Sequence, residues 1–95
     1  MALIASFNLY MSFFVSNYFL VELGDQLRRA RKKRFPYDDM PAFALRVGVS
    51  RATLQRMEKG DLSVSFGRYY RAAEVLGLEQ PFLQLFQLPV SLFDD

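Results

Sequence analysis

The chain has 95 residues, of which 52% are hydrophobic. This length allows one small domain with its own core, but not two. The chain contains neither cysteine nor histidine, which excludes disulfides, thiol nucleophiles, imidazole bases and the usual zinc ligands. The sequence also shows no nucleophile placed beside a base, no suitable carboxylate pair and no phosphate-binding glycine loop. We therefore expect no catalytic residues, no metal, no cofactor and no enzyme activity.

The net charge of +2 is unevenly distributed along the chain. All twelve lysines and arginines lie between Arg28 and Arg71, and only four acidic residues accompany them, so this window carries +8. The two flanks hold the remaining six acidic residues and carry −6. A basic segment of this kind indicates a polyanionic partner.

Residues 1–21 contain no charged side chain, and the composition changes sharply enough at Glu22 to predict a boundary there. Apolar residues alternate with serines and Asn8, which is the period of a half-buried strand; a helix is also possible. The length suits a membrane anchor, but serine and asparagine are costly in hydrocarbon. No basic residue precedes the segment as in a secretory signal. The segment is therefore an appendage packed on the domain or a second subunit, an anchor, or an extension without a role.

Residues 22–88 predict five short helices, and residues 89–95 predict a tail. The first helix has one apolar face, formed by Leu23, Leu27 and Ala30. After the break at "RFPYDD", Asp39 is suited to cap a second helix that has Pro41 in its first turn. Gly48 ends this helix, and its predicted buried residues are Phe43, Ala44 and Val47.

A third helix follows at once, with Ser50 as its N-cap and Gly60 as its stop. Leu54 and Met57 are predicted to face inward, which leaves Arg51, Ala52, Gln55, Arg56 and Lys59 for solvent. Ser65 is suited to cap a fourth helix that ends before Gly77. The predicted buried stripe of that helix consists of Phe66, Tyr69, Tyr70, Ala73 and Leu76. A fifth helix, "PFLQLFQ", begins near Pro81 and cannot continue through Pro89.

The second and third helices, joined through "VGVS", can pack at a steep angle that projects the third into a DNA major groove. Arg51 and Arg56 can each make a bidentate contact to guanine. Gln55 can pair with adenine, and Ala52 can touch a thymine methyl group. Phosphate contacts are predicted for five further residues: Ser50, Thr53, Lys59, Arg28 and Lys32.

The stretches "LGDQLRRARKKR", "FALRVGVSRATLQRMEKGD" and "SFGRYYRAAEVLGL" together resemble the helix-turn-helix domain of the Cro and phage-repressor (Xre) family. The resemblance covers Leu23 to about Leu78. It implies an all-α, compact five-helix lambda-repressor-like DNA-binding domain. It also implies that Arg51, Ala52 and Arg56 face bases, that Ser50 and Thr53 lie near phosphate, and that Arg31 and Glu58 form a structural ion pair.

Two features depart from the family pattern. The family usually has a compact "RGLTQ" after the first helix, whereas this chain has the longer "RFPYDDM". Met40 also stands where the family commonly has a phosphate-contacting glutamine. We therefore expect a remodelled start of the second helix and no phosphate contact from the side chain of Met40.

The phrase "SRATLQRMEKGD" followed by "SVSFGRYY" is similar to the small autoregulators encoded beside HipA-type kinase toxins. We expect a cytoplasmic, sequence-specific transcriptional regulator, a repressor that binds double-stranded operator DNA as a homodimer. One alternative is an antitoxin whose main role is to bind a toxin protein, with DNA binding as autoregulation. A further alternative is a membrane-tethered regulator that uses residues 1–21 as its anchor.

Overall fold

The computed structural model describes residues 2–89, with side chains from Tyr18 onward. This part of the chain contains five helices and no strand, so the prediction of an all-α, five-helix, lambda-repressor-like fold is confirmed. The predicted tail, apart from Pro89, lies outside the described residues. The helices are α1 (Ala2–Arg34), α2 (Met40–Val47), α3 (Arg51–Met57), α4 (Phe66–Leu76) and α5 (Gln80–Leu83).

The first helix is much longer than the basic segment alone predicts. It has 33 residues and passes through Glu22 without a break. The alternation of apolar residues before Glu22 therefore lies on a helical backbone, and the strand alternative is wrong for residues 2–21. Within the described part of the chain, none of the helices combines the length and the apolar character needed to cross a membrane.

The core lies between α2, α3 and α4, with α1 packed across it. Its innermost side chains include Phe43, Leu54 and Met57, each with no exposed surface. The predicted apolar face of α1, formed by Leu23, Leu27 and Ala30, is half-buried against this core. The described helices thus hold α3 by its inner side and leave its outer side free.

Helix α1 and the turn after α3 approach each other at backbone contact distance. A Cβ atom on Gly24 would overlap the carbonyl oxygen of Glu58 and lie 2.6 Å from the backbone nitrogen of Gly60. Gly60 has a φ of 77° and its own Cβ would overlap the carbonyl oxygen of Leu20. Glycine at both positions is therefore required by space, and at Gly60 also by the left-handed backbone.

Two predictions for the C-terminal helices differ from the structure. Ser65 is the N-cap residue of α4 as predicted, but its side chain makes no capping hydrogen bond. Phe66 is 59% exposed, not buried, because the first residue of α4 lies beyond the core and packs on Phe82 of α5, with ring centroids 5.5 Å apart. Of the other members of the predicted stripe, Tyr69, Ala73 and Leu76 are buried and Tyr70 is half-buried.

Helix α5 is also shorter than the predicted "PFLQLFQ". It spans four residues and ends at Leu83. The N–H of Gln84 donates to the carbonyl oxygen of Pro81, and that of Gln87 to Gln84. These three-residue turns replace the i to i−4 bonds that would have continued the α-helix.

Candidate nucleic-acid interface

The turn between α2 and α3 is built by two nearby residues with opposite backbone requirements. Gly48 adopts a φ of 83°, and its N–H donates to the carbonyl oxygen of Ala44 at 2.9 Å. Two residues later Ser50 has an extended backbone and is the N-cap residue that precedes α3. Three residues therefore join α2 to α3, which is the short glycine-containing turn typical of a helix-turn-helix.

Ser50 caps α3 through its side chain. The backbone N–H of Thr53 donates to the Ser50 hydroxyl oxygen at 3.0 Å, and the Ser50 hydroxyl lies 3.0 Å from the Thr53 hydroxyl, to which it donates. Thr53 is only 8% exposed. Its side chain lies on the inner side of α3, and its contact with phosphate stays a prediction. In this position Thr53 holds the Ser50 hydroxyl.

The residues predicted to contact DNA bases are brought together on one face of α3. The buried side consists of Thr53, Leu54 and Met57. At 3.6 residues per turn the opposite side belongs to the remaining positions, and all of them are exposed: Arg51, Ala52, Gln55 and Arg56. Lys59, in the turn that follows, is exposed as well.

Arg31 and Glu58 form a bidentate ion pair between α1 and the end of α3. The Nε of Arg31 lies 2.5 Å from Oε2 of Glu58, and one terminal nitrogen lies 3.0 Å from Oε1. Each side chain is 8% exposed. Charge-assisted pairs with two parallel bonds fix orientation as well as distance, so this pair sets the position of α3 against α1.

Two further residues predicted to bind phosphate, Arg28 and Lys32, are exposed on α1 beside this link. They lie three residues before and one residue after Arg31, so they flank the point where α1 meets the end of α3. Arg28 also lies 3.8 Å from Asp25, a distance at which the arginine stays available to a stronger anion. Their membership of one site with the outer face of α3 stays a prediction.

The longer connection "RFPYDDM" is tied down by contacts that the sequence did not predict. Nε of Arg46 lies 2.5 Å from a carboxylate oxygen of Asp38, and its guanidinium lies 4.3 Å above the ring of Phe35. The hydrogen bond to Asp38 raises the pKa of Arg46. Asp38 lies in the loop and Arg46 lies on α2, so no helical spacing predicts their contact. The ion pair forms because the loop folds back on α2.

The predicted N-cap at the start of α2 is confirmed. The carboxylate of Asp39 accepts a hydrogen bond from the N–H of Ala42 at 2.9 Å and so caps the helix. The side chain of Met40 is half-buried against the core. It therefore cannot replace the phosphate-contacting side chain of the family pattern.

An acidic residue lies close to the exposed face of α3. Hydrogen bonds from Ser63, and secondarily the positive charge of Arg56, lower the pKa of Asp61. The backbone N–H of Ser63 donates to the Asp61 carboxylate at 2.8 Å. Ser63 therefore fixes the Asp61 carboxylate beside the end of α3.

A family model described as a helix-turn-helix domain matches residues 22–85, which is more than half of the chain. The chain therefore belongs to the helix-turn-helix domain family, and this membership supports a DNA-binding regulator. Comparison with curated proteins and with solved structures gave no significant match.

Proposed function

We propose that the protein is a sequence-specific transcriptional repressor of the Xre type that reads the DNA major groove with α3. The observation that carries the proposal is the composition of the exposed face of this capped helix. Two arginines, a glutamine and an alanine lie there together, and all four are residue types that recognise base edges.

Each base-reading residue has a distinct role in the proposal. Arg51 and Arg56 donate to the O6 and N7 acceptors of guanine, and each contact supplies about 1–3 kcal/mol of discrimination. Gln55 pairs with adenine, and the methyl group of Ala52 packs on thymine. Arg51 acts from the first turn of α3 and Arg56 from its last turn, so together they read separate base pairs.

Affinity that does not depend on sequence comes from the surrounding basic residues. The hydroxyl of Ser50 lies at the start of α3, Lys59 follows its end, and Arg28 and Lys32 extend the basic surface onto α1. Ser50 binds phosphate by turning its O–H from Thr53 to the phosphate oxygen. Together these groups bind phosphate and fix the orientation of α3 in the groove. The same contacts make binding strongly dependent on salt.

The proposed repressor acts as a homodimer on two half-sites. Helix α3 has seven residues and contacts only a few base pairs, which gives one copy modest specificity. Two copies that read half-sites one helical turn apart, about 34 Å, double the number of base contacts. Repression follows when the dimer occupies an operator that overlaps a promoter.

Selection from a randomised duplex library, followed by anisotropy titration, tests the proposal. The selected duplex should bind at least about a thousandfold more tightly than a shuffled duplex at the same salt concentration. Arg56→Ala should weaken binding to the selected duplex by about 10–100-fold, as expected for the loss of about 1–3 kcal/mol, and change binding to the shuffled duplex much less. Arg71→Ala, an exposed arginine of α4, serves as the matched control and should leave the preference unchanged.

Equal losses on selected and shuffled duplex would show that Arg56 does not read bases. Failure of the selection to enrich any sequence would contradict sequence-specific binding altogether.

A second candidate function is that of an antitoxin whose main role is to bind a toxin protein. The observation that favours it is an open apolar groove of about 550 Å³ between α1, α4 and α5, whose lining includes Leu23, Leu27, Phe66 and Phe82. Co-expression with the product of the adjacent gene tests it. A stable complex in co-purification supports the antitoxin role, and a chain that stays alone contradicts it.

A further inference from the structure

The N-terminal half of α1 extends beyond the DNA-binding domain. The close backbone contact between α1 and the turn after α3 begins at Leu20, whereas α1 begins at Ala2. At 1.5 Å per residue the helix continues for about 27 Å before it reaches that contact. Residues 1–21 carry no charged side chain, so this length of helix lacks the charged face of an ordinary solvent-exposed helix.

Most residues of this half of α1 are apolar, so several stripes along the helix are apolar, and one of them also contains Asn17. Six positions follow one another at spacings of four, three, four, three and four residues, and we call this set the seam. Five of the six residues are apolar: Leu3, Phe7, Tyr10, Phe14, Asn17 and Val21. Alternating steps of three and four residues place a stripe along one side of a helix and are the spacing by which two helices pair.

The seam faces away from the chain's own domain at the end where side chains are described. Val21 of the seam is 62% exposed, and Tyr18 beside it is 67% exposed. Leu20 and Leu23, on the side of α1 that contacts the domain, are half-buried. At Val21, the one seam position whose side chain is described, the domain therefore does not cover the seam.

We propose that the seam pairs with the seam of a second copy of this chain, in parallel and in register. Aromatic side chains carry about 150–250 Å² each, so Phe7, Tyr10 and Phe14 together can supply about 450–750 Å² of the ~800 Å² that each partner buries in a standard interface. The absence of charge in residues 1–21 removes any repulsion between two identical segments.

The position of Asn17 within the seam favours the parallel arrangement. In a parallel, in-register pair the two Asn17 residues meet at the twofold axis, where one amide can donate to the other. A single asparagine at such a position fixes register and favours a two-stranded pair. In an antiparallel pair Asn17 would instead face an apolar residue and lose its partner.

The residues that follow explain why the pairing stops at Val21. The next seam position is Gly24, which is buried against the Glu58 and Gly60 backbone of its own domain. The position after that is Arg28, where two copies would repel each other. The helices therefore separate after Val21, and the basic residues of α1 stay free for phosphate. The inference supplies the second copy that the proposed function needs, but it concerns α1 alone and is tested without DNA.

Analytical ultracentrifugation of the full chain without DNA tests the pairing. We expect a dimer, and we expect Phe14→Asp to weaken it at least tenfold because a charge enters the seam. Phe13→Asp is the matched control, since it makes the same change one residue away and outside the seam. Circular dichroism of both variants checks that the domain remains helical.

Cysteine cross-linking tests the register independently, because the chain contains no native cysteine. Asn17→Cys should form a covalent dimer on mild oxidation, and Phe13→Cys should not. A monomeric chain, or a dimer weakened equally by both aspartates, would overturn the pairing. A dimer in which Asn17→Cys fails to cross-link would overturn the parallel register. A monomer that instead floats with phosphatidylglycerol vesicles would overturn the pairing and assign the seam to a lipid surface.

These outcomes are separate from those of the DNA experiments. A chain that dimerises through the seam but enriches no duplex sequence would contradict the proposed function and leave the seam standing. A monomer that still prefers its selected duplex would overturn the seam and leave base reading by α3 standing without the preformed dimer.

Discussion

The ion pair of Arg31 with Glu58 is the polar contact on which the placement of α3 against α1 depends. Both side chains are 8% exposed, and two hydrogen bonds join them. Removing water from two charges costs free energy, and the pair recovers it only while both partners are present. The pair is thus more important for geometry than for net stability.

We expect Arg31→Ala to lower the free energy of unfolding by about 3–5 kcal/mol, because it leaves the Glu58 carboxylate buried without a partner. The double variant Arg31→Met with Glu58→Leu removes both charges and fills the space, so it should cost much less. Urea denaturation followed by circular dichroism measures both. If the single and double variants lose the same stability, the pair does not act as a buried, mutually compensating unit.

The residue types of the site were largely predictable from the sequence because their chemistry is local. An N-cap serine, a left-handed glycine and the 3.6-residue period decide which side of α3 is exposed, and none of these depends on distant residues. The Arg31–Glu58 pair was expected only through the family resemblance. The inward position of Thr53 was missed, because the preference of a small polar residue for either side of a helix is weak.

At the scale of elements, the contact between α1 and the turn after α3 depends on the absence of a side chain at Gly24. Glycine within a helix normally costs about 0.5–1 kcal/mol relative to alanine. Here a Cβ would overlap backbone atoms, which cannot move aside as a flexible side chain can. The usual effect of replacing a helical glycine is therefore reversed at this position.

We expect Gly24→Ala to lower the free energy of unfolding by about 1–3 kcal/mol, the usual cost of overpacking. Gly67→Ala is the matched control on α4: nothing lies within 4 Å of the added atom, so it should raise stability by up to about 1 kcal/mol. Thermal or urea denaturation compares the two. Stabilisation by Gly24→Ala would contradict the close approach of the two backbones.

The elements that the sequence failed to predict are those decided by tertiary packing. The apolar residues of α4 indicated a stripe that included Phe66, yet Phe66 contacts α5 because the core ends before it. The cap expected from Ser65 also failed, since a suitable residue type does not ensure that its side chain adopts the bonding geometry. The ion pair of Asp38 with Arg46 depends on how the longer loop folds back, which local patterns do not encode.

At the scale of the whole molecule, charge and apolar surface are segregated along the chain. The window from Arg28 to Arg71 carries +8, whereas residues 1–21 carry no charge. Helix α1 belongs to both regions, with the seam in its first half and the basic run at its end. One continuous helix thus links the proposed pairing of two copies to the proposed contact with phosphate.

The basic residues of α1 are expected to affect DNA affinity differently from those of α3. Arg28 and Lys32 are proposed to bind phosphates, which are the same in every sequence. Replacing both by alanine should therefore weaken binding to selected and shuffled duplexes by the same factor. It should also reduce the slope of log affinity against log salt by about 2, because each phosphate that the protein no longer neutralises lowers the slope by about 1.

Anisotropy titrations of the double variant at several salt concentrations provide the measurement. Arg56→Ala in the same series should lower the preference for the selected duplex, because Arg56 is assigned to a base and not to a phosphate. An unchanged salt slope in the Arg28→Ala, Lys32→Ala variant would remove α1 from the DNA interface and confine it to α3. A selective loss on the selected duplex would instead place these two side chains against bases.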